Sequence, residues 1–212
     1  MGLTIILANG DIPTHDQAIG LLESAEHVVC CDGAVSNLIQ LGYIPEVIVG
    51  DMDSISQSDF TKFRDRIYRD SSEEYNDLQK ALKYCLSKQW YNITILGGFG
   101  KREDHSIANL SIMHSYYVTL NQHDMVQSSL KMVTNFGVFS PITKTSTFQS
   151  FPGQQVSVFP ISKETKLTFQ GLKYPVVDRI FEYLWEGSLN ESIADQFSIQ
   201  FDNGEVIVYQ AF

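Results

Sequence analysis

Within its first 51 residues the chain repeats one pattern three times: a short apolar run that stops at a turn. Leu3-Thr4-Ile5-Ile6-Leu7-Ala8 closes on Asn9-Gly10, His27-Val28-Val29-Cys30-Cys31 on Asp32-Gly33, and Val47-Ile48-Val49 on Gly50-Asp51. Runs of this kind, β-branched and continuous rather than alternating, read as strands buried on both faces of a parallel sheet. Helical signals lie between them. Thr14-His15-Asp16-Gln17 has capping-box spacing ahead of a stripe of Ala18, Leu21, Leu22 and Ala25, and Ala34 to Leu41 reads as a helix stopped by Gly42, with Pro45 beyond. Strand, helix, strand, helix, strand is the grammar of a doubly wound, Rossmann-like α/β sheet.

The pattern continues through the first half. Ser56 to Arg64 reads as a short polar helix and Ile67-Tyr68 as a strand. From Glu73 to Leu86 the residues Leu78, Ala81, Leu82, Cys85 and Leu86 mark one helical face. Ile93-Thr94-Ile95-Leu96 runs into Gly97-Gly98-Phe99-Gly100, and a helix opens over Lys101–His105 and runs through Tyr117. After about Met125 the runs become short, alternating and bounded by turns: Lys131–Thr134, Gly137–Phe139, Ser146–Phe148, Gln155–Phe159, Lys166–Phe169, Phe197–Phe201 and Val206–Tyr209. Asp202-Asn203-Gly204 predicts a hairpin between the last two. The expected organisation is an α/β domain over 1–125 and an all-β sandwich or barrel over 126–212.

Charge and cysteine usage narrow the function. A net charge of −10 on 212 residues argues against nucleic acid and anionic membrane surfaces as partners. The cysteines, Cys30, Cys31 and Cys85, form no CxxC and no disulfide framework, which fits buried thiols in a reducing compartment. The Leu3–Ala8 run is too short and lacks the basic flank of a signal peptide. No stretch is long enough to span a bilayer, so the expected location is cytoplasmic.

The chemistry gathers at strand ends, where open α/β sheets bind ligands. Asp51 and Asp53 follow a strand one residue apart; in extended backbone they would point to the same side. Two such anions repel by about 4 kcal/mol at ~4 Å and an effective dielectric of 20 unless a cation joins them, and hard oxygen ligands suit Mg²⁺. Asp32 reaches the same rim, although a turn residue before Gly33 is the simpler account of it taken alone. Asp77, in the first turn of its helix, either complements the helix dipole or serves as a third metal ligand. The glycine turn from Gly97 to Gly100, leading into a helix, can present backbone N–H groups to phosphate. It is neither a Walker A loop nor GxGxxG. Arg102 adds a planar fork for phosphate oxygens, Asp104 could orient that fork or assist the metal, and His105 reads as a helix-start hydrogen bonder or a catalyst.

Taken together, Asp32-Gly33-Ala34, Pro45-x-x-x-x-Gly50-Asp51-x-Asp53-Ser54, Asp77-Leu78-x-Lys80-Ala81-Leu82 and Gly97-x-x-Gly100-x-Arg102-x-Asp104-His105-x-x-Ala108-Asn109-Leu110 resemble the thiamin pyrophosphokinase family. Gly171-Leu172-Lys173-Tyr174-Pro175 resembles a segment of that family's β domain. The resemblance implies a homodimer that uses ATP as co-substrate and Mg²⁺ to transfer diphosphate to the thiamin hydroxyl, releasing AMP. It implies Mg²⁺ on Asp51, Asp53 and Asp77, catalytic roles for these with Asp32, Arg102 and Asp104, and binding by Gly97, Gly100, Lys101, Arg102, His105 and Asn190. Either Asp32 or Asp104 would act on the alcohol. The chain departs from the family pattern at Asn76, where Thr is usual, and at Lys101, where Gly is usual. Leu189-Asn190-Glu191-Ser192 lacks the Ser before Asn and the aromatic that follows it in the family. Two alternatives stay open: another Mg²⁺-dependent diphosphotransferase or nucleotidyltransferase, and a non-catalytic thiamin- or nucleotide-binding regulator.

Overall fold

The computed structural model describes residues 2–121 and 128–212, which separate into two compact units, Met1–Asn135 and Phe136–Phe212. The boundary expected at 125/126 lies outside the described residues.

In the first unit, the parallel strands are β1 (Thr4–Leu7), β2 (His27–Cys31), β3 (Val47–Gly50), β4 (Ile67–Arg69), β5 (Asn92–Leu96) and β6 (Ser129–Val133). Their spatial order is β6-β5-β1-β2-β3-β4. The chain therefore winds outward from β1 in one direction as far as β4, then returns to lay β5 on the other flank of β1. Ile5, Ile6, Val29, Ile48, Val49, Ile93 and Ile95 are fully enclosed, each worth about 1.5–3 kcal/mol relative to exposure. The connecting helices are α1 (Asp16–Glu23), α2 (Val35–Gln40), α3 (Gln57–Lys62), α4 (Asp77–Ser87) and α5 (Glu103–Asn121). None among the described residues is long and apolar enough to cross a membrane.

Several local expectations are corrected. The helix expected from Glu73 starts at Asp77 because Asn76 caps it. The Asn76 side chain accepts from Gln79 N at 2.9 Å, and the Gln79 Oε1 accepts in turn from Asn76 N at 3.3 Å. At α1 the cap is His15, whose Nδ1 accepts from Gln17 N, rather than Thr14. The run Lys131–Thr134 does not open the β half. β6 pairs in parallel with β5, Thr94 facing Lys131, and completes the first sheet.

The second unit is a sandwich. One sheet has the order β11-β9-β13-β7, with β7 (Gly137–Ile142), β9 (Gln155–Pro160), β11 (Asn190–Glu191) and β13 (Val206–Ala211). The other runs β10-β12-β8, with β8 (Ser146–Gln149), β10 (Thr168–Gln170) and β12 (Gln196–Gln200). The Asp202-Asn203-Gly204 turn does not make the expected hairpin, since β12 and β13 lie in different sheets. Phe197 and Ile199 of one strand and Val206 and Val208 of the other share a single apolar core. The turn thus carries the chain across the sandwich, because both strands need their apolar faces inside it.

Candidate active site

With β1 between β2 and β5, the sheet reverses its winding at β1. The crevice beyond the carboxyl ends of β1 and β5 is where such a sheet takes a ligand. A cleft of about 330 Å³ opens there, between Asn9-Gly10 after β1, the Gly98–Arg102 turn after β5, Asn76-Asp77 at the start of α4, and His105 and Asn109 on α5. The two strand ends are laced together: Ala8 N donates to Leu96 O at 2.8 Å, Gly10 N to Gly97 O and Asp11 N to Phe99 O, both at 2.7 Å. A trans peptide points its N–H opposite to its carbonyl. Anchoring the Gly97 and Phe99 carbonyls on the β1 turn therefore directs the N–H groups of Gly98 and Gly100 away from it. Gly97 and Gly100 hold φ of +63° and +85°, and a Cβ on Gly97 would lie 2.5 Å from Ala8 O, so neither position accepts a side chain. Asn109 Nδ2 bonds Gly98 O at 2.8 Å and ties the turn to α5.

Lys101 continues this turn at φ +60°. That conformation suits glycine and is uncommon for a lysine. Its ammonium reaches Asn9 Oδ1 at 2.7 Å, across the mouth of the cleft. Arg102 and Asp104 are both exposed and bind each other through two bonds, Nε to Oδ1 at 3.1 Å and Nη2 to Oδ2 at 2.5 Å. This pairing, with His105 N on Asp104 Oδ1, holds the Asp104 carboxyl below its usual range.

The acidic residues converge beside the cleft. Oxygens of Asp32, Asp51 and Asp53 lie within 4.8 Å of one another. These oxygens are hard donors of the kind a divalent ion such as Mg²⁺ takes. The convergence does not come from strand alternation. β3 ends at Gly50, and Met52 turns the chain at φ +71°, donating its N–H to Asp32 Oδ2 at 2.9 Å. Asp51 Oδ1 accepts from Asp53 N at 3.1 Å inside this turn. Asp32 is 1% exposed, and its other oxygen accepts from Gly33 N at 2.6 Å. Burial raises the Asp32 pKa against those N–H groups, and the Asp51 charge adds to the rise. The Asp32 carboxylate packs over Gly50, where an added Cβ would come within 2.7 Å of its Cγ.

Asp77 stands outside the converging three and faces the cleft. Burial, then the Asp32 charge, pushes its pKa up to about 6. Lys80, one turn along α4 and 3% exposed, joins it to the cluster, its Nζ 3.5 Å from Asp77 Oδ1 and 3.6 Å from Asp51 Oδ2. Sequence reading had not singled out Lys80 for a role. Its signal was present in a lysine that interrupts the apolar face between Leu78 and Ala81-Leu82, but its partners are distant in the chain. Asn9 was missed for the same reason.

In the second unit, Asn190 lines a cavity and its amide is bonded to neighbouring backbone. Its Oδ1 accepts from Tyr174 N and Glu191 N at 3.0 and 2.9 Å, and its Nδ2 donates to Tyr174 O at 2.9 Å. It pins the Gly171–Pro175 turn, with the Tyr174 ring exposed on a cavity of about 340 Å³ walled by Phe169, Phe181, Leu189, Arg179 and Glu186.

The family model for the thiamin pyrophosphokinase catalytic domain matches residues 19–125, and that for the thiamin pyrophosphokinase substrate-binding domain matches residues 137–209. The chain is 27% identical over 196 residues to thiamin pyrophosphokinase 1 of Caenorhabditis elegans, spanning 84% of this chain and 76% of that one. It is 26% identical over 162 residues to the thiamine pyrophosphokinase of Bacillus subtilis, spanning 68% of each. The crystal structure of thiamine pyrophosphokinase from Bacillus subtilis shares the fold with a TM-score of 0.81 at 22% identity, over 99% of this chain and 98% of that one. That of thiamin pyrophosphokinase from Candida albicans does so with a TM-score of 0.81 at 19% identity, over 100% and 89%.

Proposed function

This chain belongs to the thiamin pyrophosphokinase family, and on that footing we propose how its own residues carry the reaction. The activity is that of a thiamine diphosphokinase, moving diphosphate from ATP to the thiamin hydroxyl to give thiamin diphosphate and AMP. Attack falls on the β-phosphorus, so charge builds on the oxygen that leaves with AMP and on the transferred group. Reactions of this kind are catalysed mainly by positioning and electrostatics.

Asp51 and Asp53, with Asp32 behind them and Asp77 across Lys80, are the groups that would hold Mg²⁺. That ion supplies neutralisation of the phosphate oxygens. The observation that carries the assignment is the meeting of the Asp32, Asp51 and Asp53 oxygens beside the β1–β5 crevice. The N–H groups of the turn at Gly97–Gly100, with Lys101, Arg102 and His105, take the triphosphate. Asp104 fixes the Arg102 fork. Asp32 spends both oxygens on backbone N–H groups, which suits it to shaping the Asp51–Asp53 turn.

Thiamin enters through the second unit, whose cavity offers aromatic walls. Asn190 contributes by holding Tyr174 in place. The exposed Val177, Trp185 and Leu189 suit a homodimer contact with a second copy, which sedimentation velocity tests directly. Free buried thiols at Cys30, Cys31 and Cys85 suit a cytoplasmic location.

Incubation with ATP, Mg²⁺ and thiamin, with both products identified by mass, tests the reading. Thiamin diphosphate with AMP is expected; ADP, or an unmodified thiamin pool, would refute it. Asp51→Ala should remove turnover by at least a hundredfold with the circular dichroism spectrum unchanged.

A further inference from the structure

We propose that Lys80 is a built-in counter-cation that restricts the nucleotide-free acidic site to a single divalent ion. Lys80 is a positioning residue: it acts through Asp51 and Asp77 and would touch neither substrate nor metal. The inference rests on the metal site proposed above and adds the number of ions that site accepts.

The charge count and the geometry both lead to Lys80. Asp32, Asp51, Asp53 and Asp77 would place four negative charges around one rim. A divalent ion offsets two of them, and the remainder would recruit a second ion. Lys80 stands where that second ion would be drawn, nearly equidistant from Asp51 and Asp77. A lysine side chain 2% exposed is rare without ion partners, and among the described residues these carboxylates are the ones within ion-pair reach of it. The helix makes the placement permanent. Lys80 lies one turn after Asp77, and α4 is anchored by its Asn76 capping box and by buried Leu78, Ala81, Leu82 and Cys85. A hydrated metal ion exchanges with solvent, whereas an ammonium on this helix cannot leave. Lys80 thereby occupies the side of the cluster between Asp51 and Asp77 and would leave Asp51 and Asp53 for one exchangeable ion.

The test uses Mn²⁺ alone, without nucleotide, as a paramagnetic probe of the intact protein. Electron paramagnetic resonance of free Mn²⁺ should give one bound ion per chain for the wild type. Lys80→Met should take up a second ion. Lys80→Arg, which keeps the charge, should return to one ion with wild-type affinity. A single ion on Lys80→Met with its melting transition intact would overturn the proposal, because Lys80 would then merely brace the carboxylates. If Lys80→Met fails to fold, the wild type and Lys80→Arg decide: two ions on either overturns the proposal, one on both supports it. Asp53→Asn separates this inference from the site itself. Loss of Mn²⁺ from that variant confirms the ion's seat, and retention would overturn both the site and the role of Lys80.

Discussion

Single side chains at this site are set by what stands directly against them. At Gly50, a methyl group would collide with the Asp32 carboxylate. Gly50→Ala should therefore destabilise by about 1–3 kcal/mol, the usual range for overpacking, and should weaken divalent binding by displacing Asp32. Urea melts with and without Mg²⁺ separate the two effects. Lys101 presents the opposite case, a side chain in left-handed backbone. Lys101→Gly relieves about 1–2 kcal/mol of conformational cost but frees the unfolded chain by roughly 0.5–1 kcal/mol. Its unfolding free energy should change by no more than about 1.5 kcal/mol, while KM for ATP rises severalfold through the lost cation. Asp77 brings a pH dependence. Its folded pKa, about 6, is above the ordinary value of 3.8. The stability it contributes is complete below the ordinary value and is lost as pH rises through the folded one. Asp51 is lowered, chiefly by Asp53 N, so its contribution is present above the ordinary value and is lost as pH falls through the folded one. Without divalent ions, Asp77→Asn should thus flatten a decline in melting temperature between about pH 4 and 6. In the wild type, Mg²⁺ should stabilise less at pH 5 than at pH 7.5, because protonating Asp77 removes one negative charge from the cluster that would attract the ion.

Among the elements, α4 does the most for the site. It supplies Asp77 and Lys80 from its first turn, and the Asn76–Gln79 capping box decides where that turn begins. Asn76→Ala should cost about 1 kcal/mol and should lower kcat more than it raises KM, because the cap aims Asp77. Asn76→Thr, the residue usual in the family, should restore both. The strands and their acidic ends were readable in the sequence because burial and turn chemistry leave local marks: β-branched runs, then Asp32-Gly33 and Gly50-Asp51. The left-handed turns at Met52 and Lys101 leave no such mark, since tertiary contacts force an ordinary residue into that conformation. Lys80 was hidden for a related reason. A buried charge is intelligible only beside its partners, and Asp51 lies on a different element. The Asp202-Asn203-Gly204 signal misled because its turn chemistry is real while the sheet assignment of its flanking strands depends on which core they share.

At the scale of the molecule, two compact units divide the labour, and the crevice is a property of winding order. No local pattern announces that β5 will return to the flank of β1. Asn9 and Gly10 therefore gave no warning of their place in the cleft, while the Gly97–Gly100 turn did. The same order has a consequence for how the protein is made. β1 precedes the other strands of its sheet in the chain yet occupies the interior of that sheet, and its neighbour β5 ends at Leu96. The carboxylates and Lys80 all emerge from the ribosome ahead of the glycine turn. A nascent chain halted between Lys80 and Leu96 would hold every charged group of the cluster while one flank of β1 stayed bare. The acidic cluster is thus complete in the chain before the glycine turn that would face the nucleotide has been made.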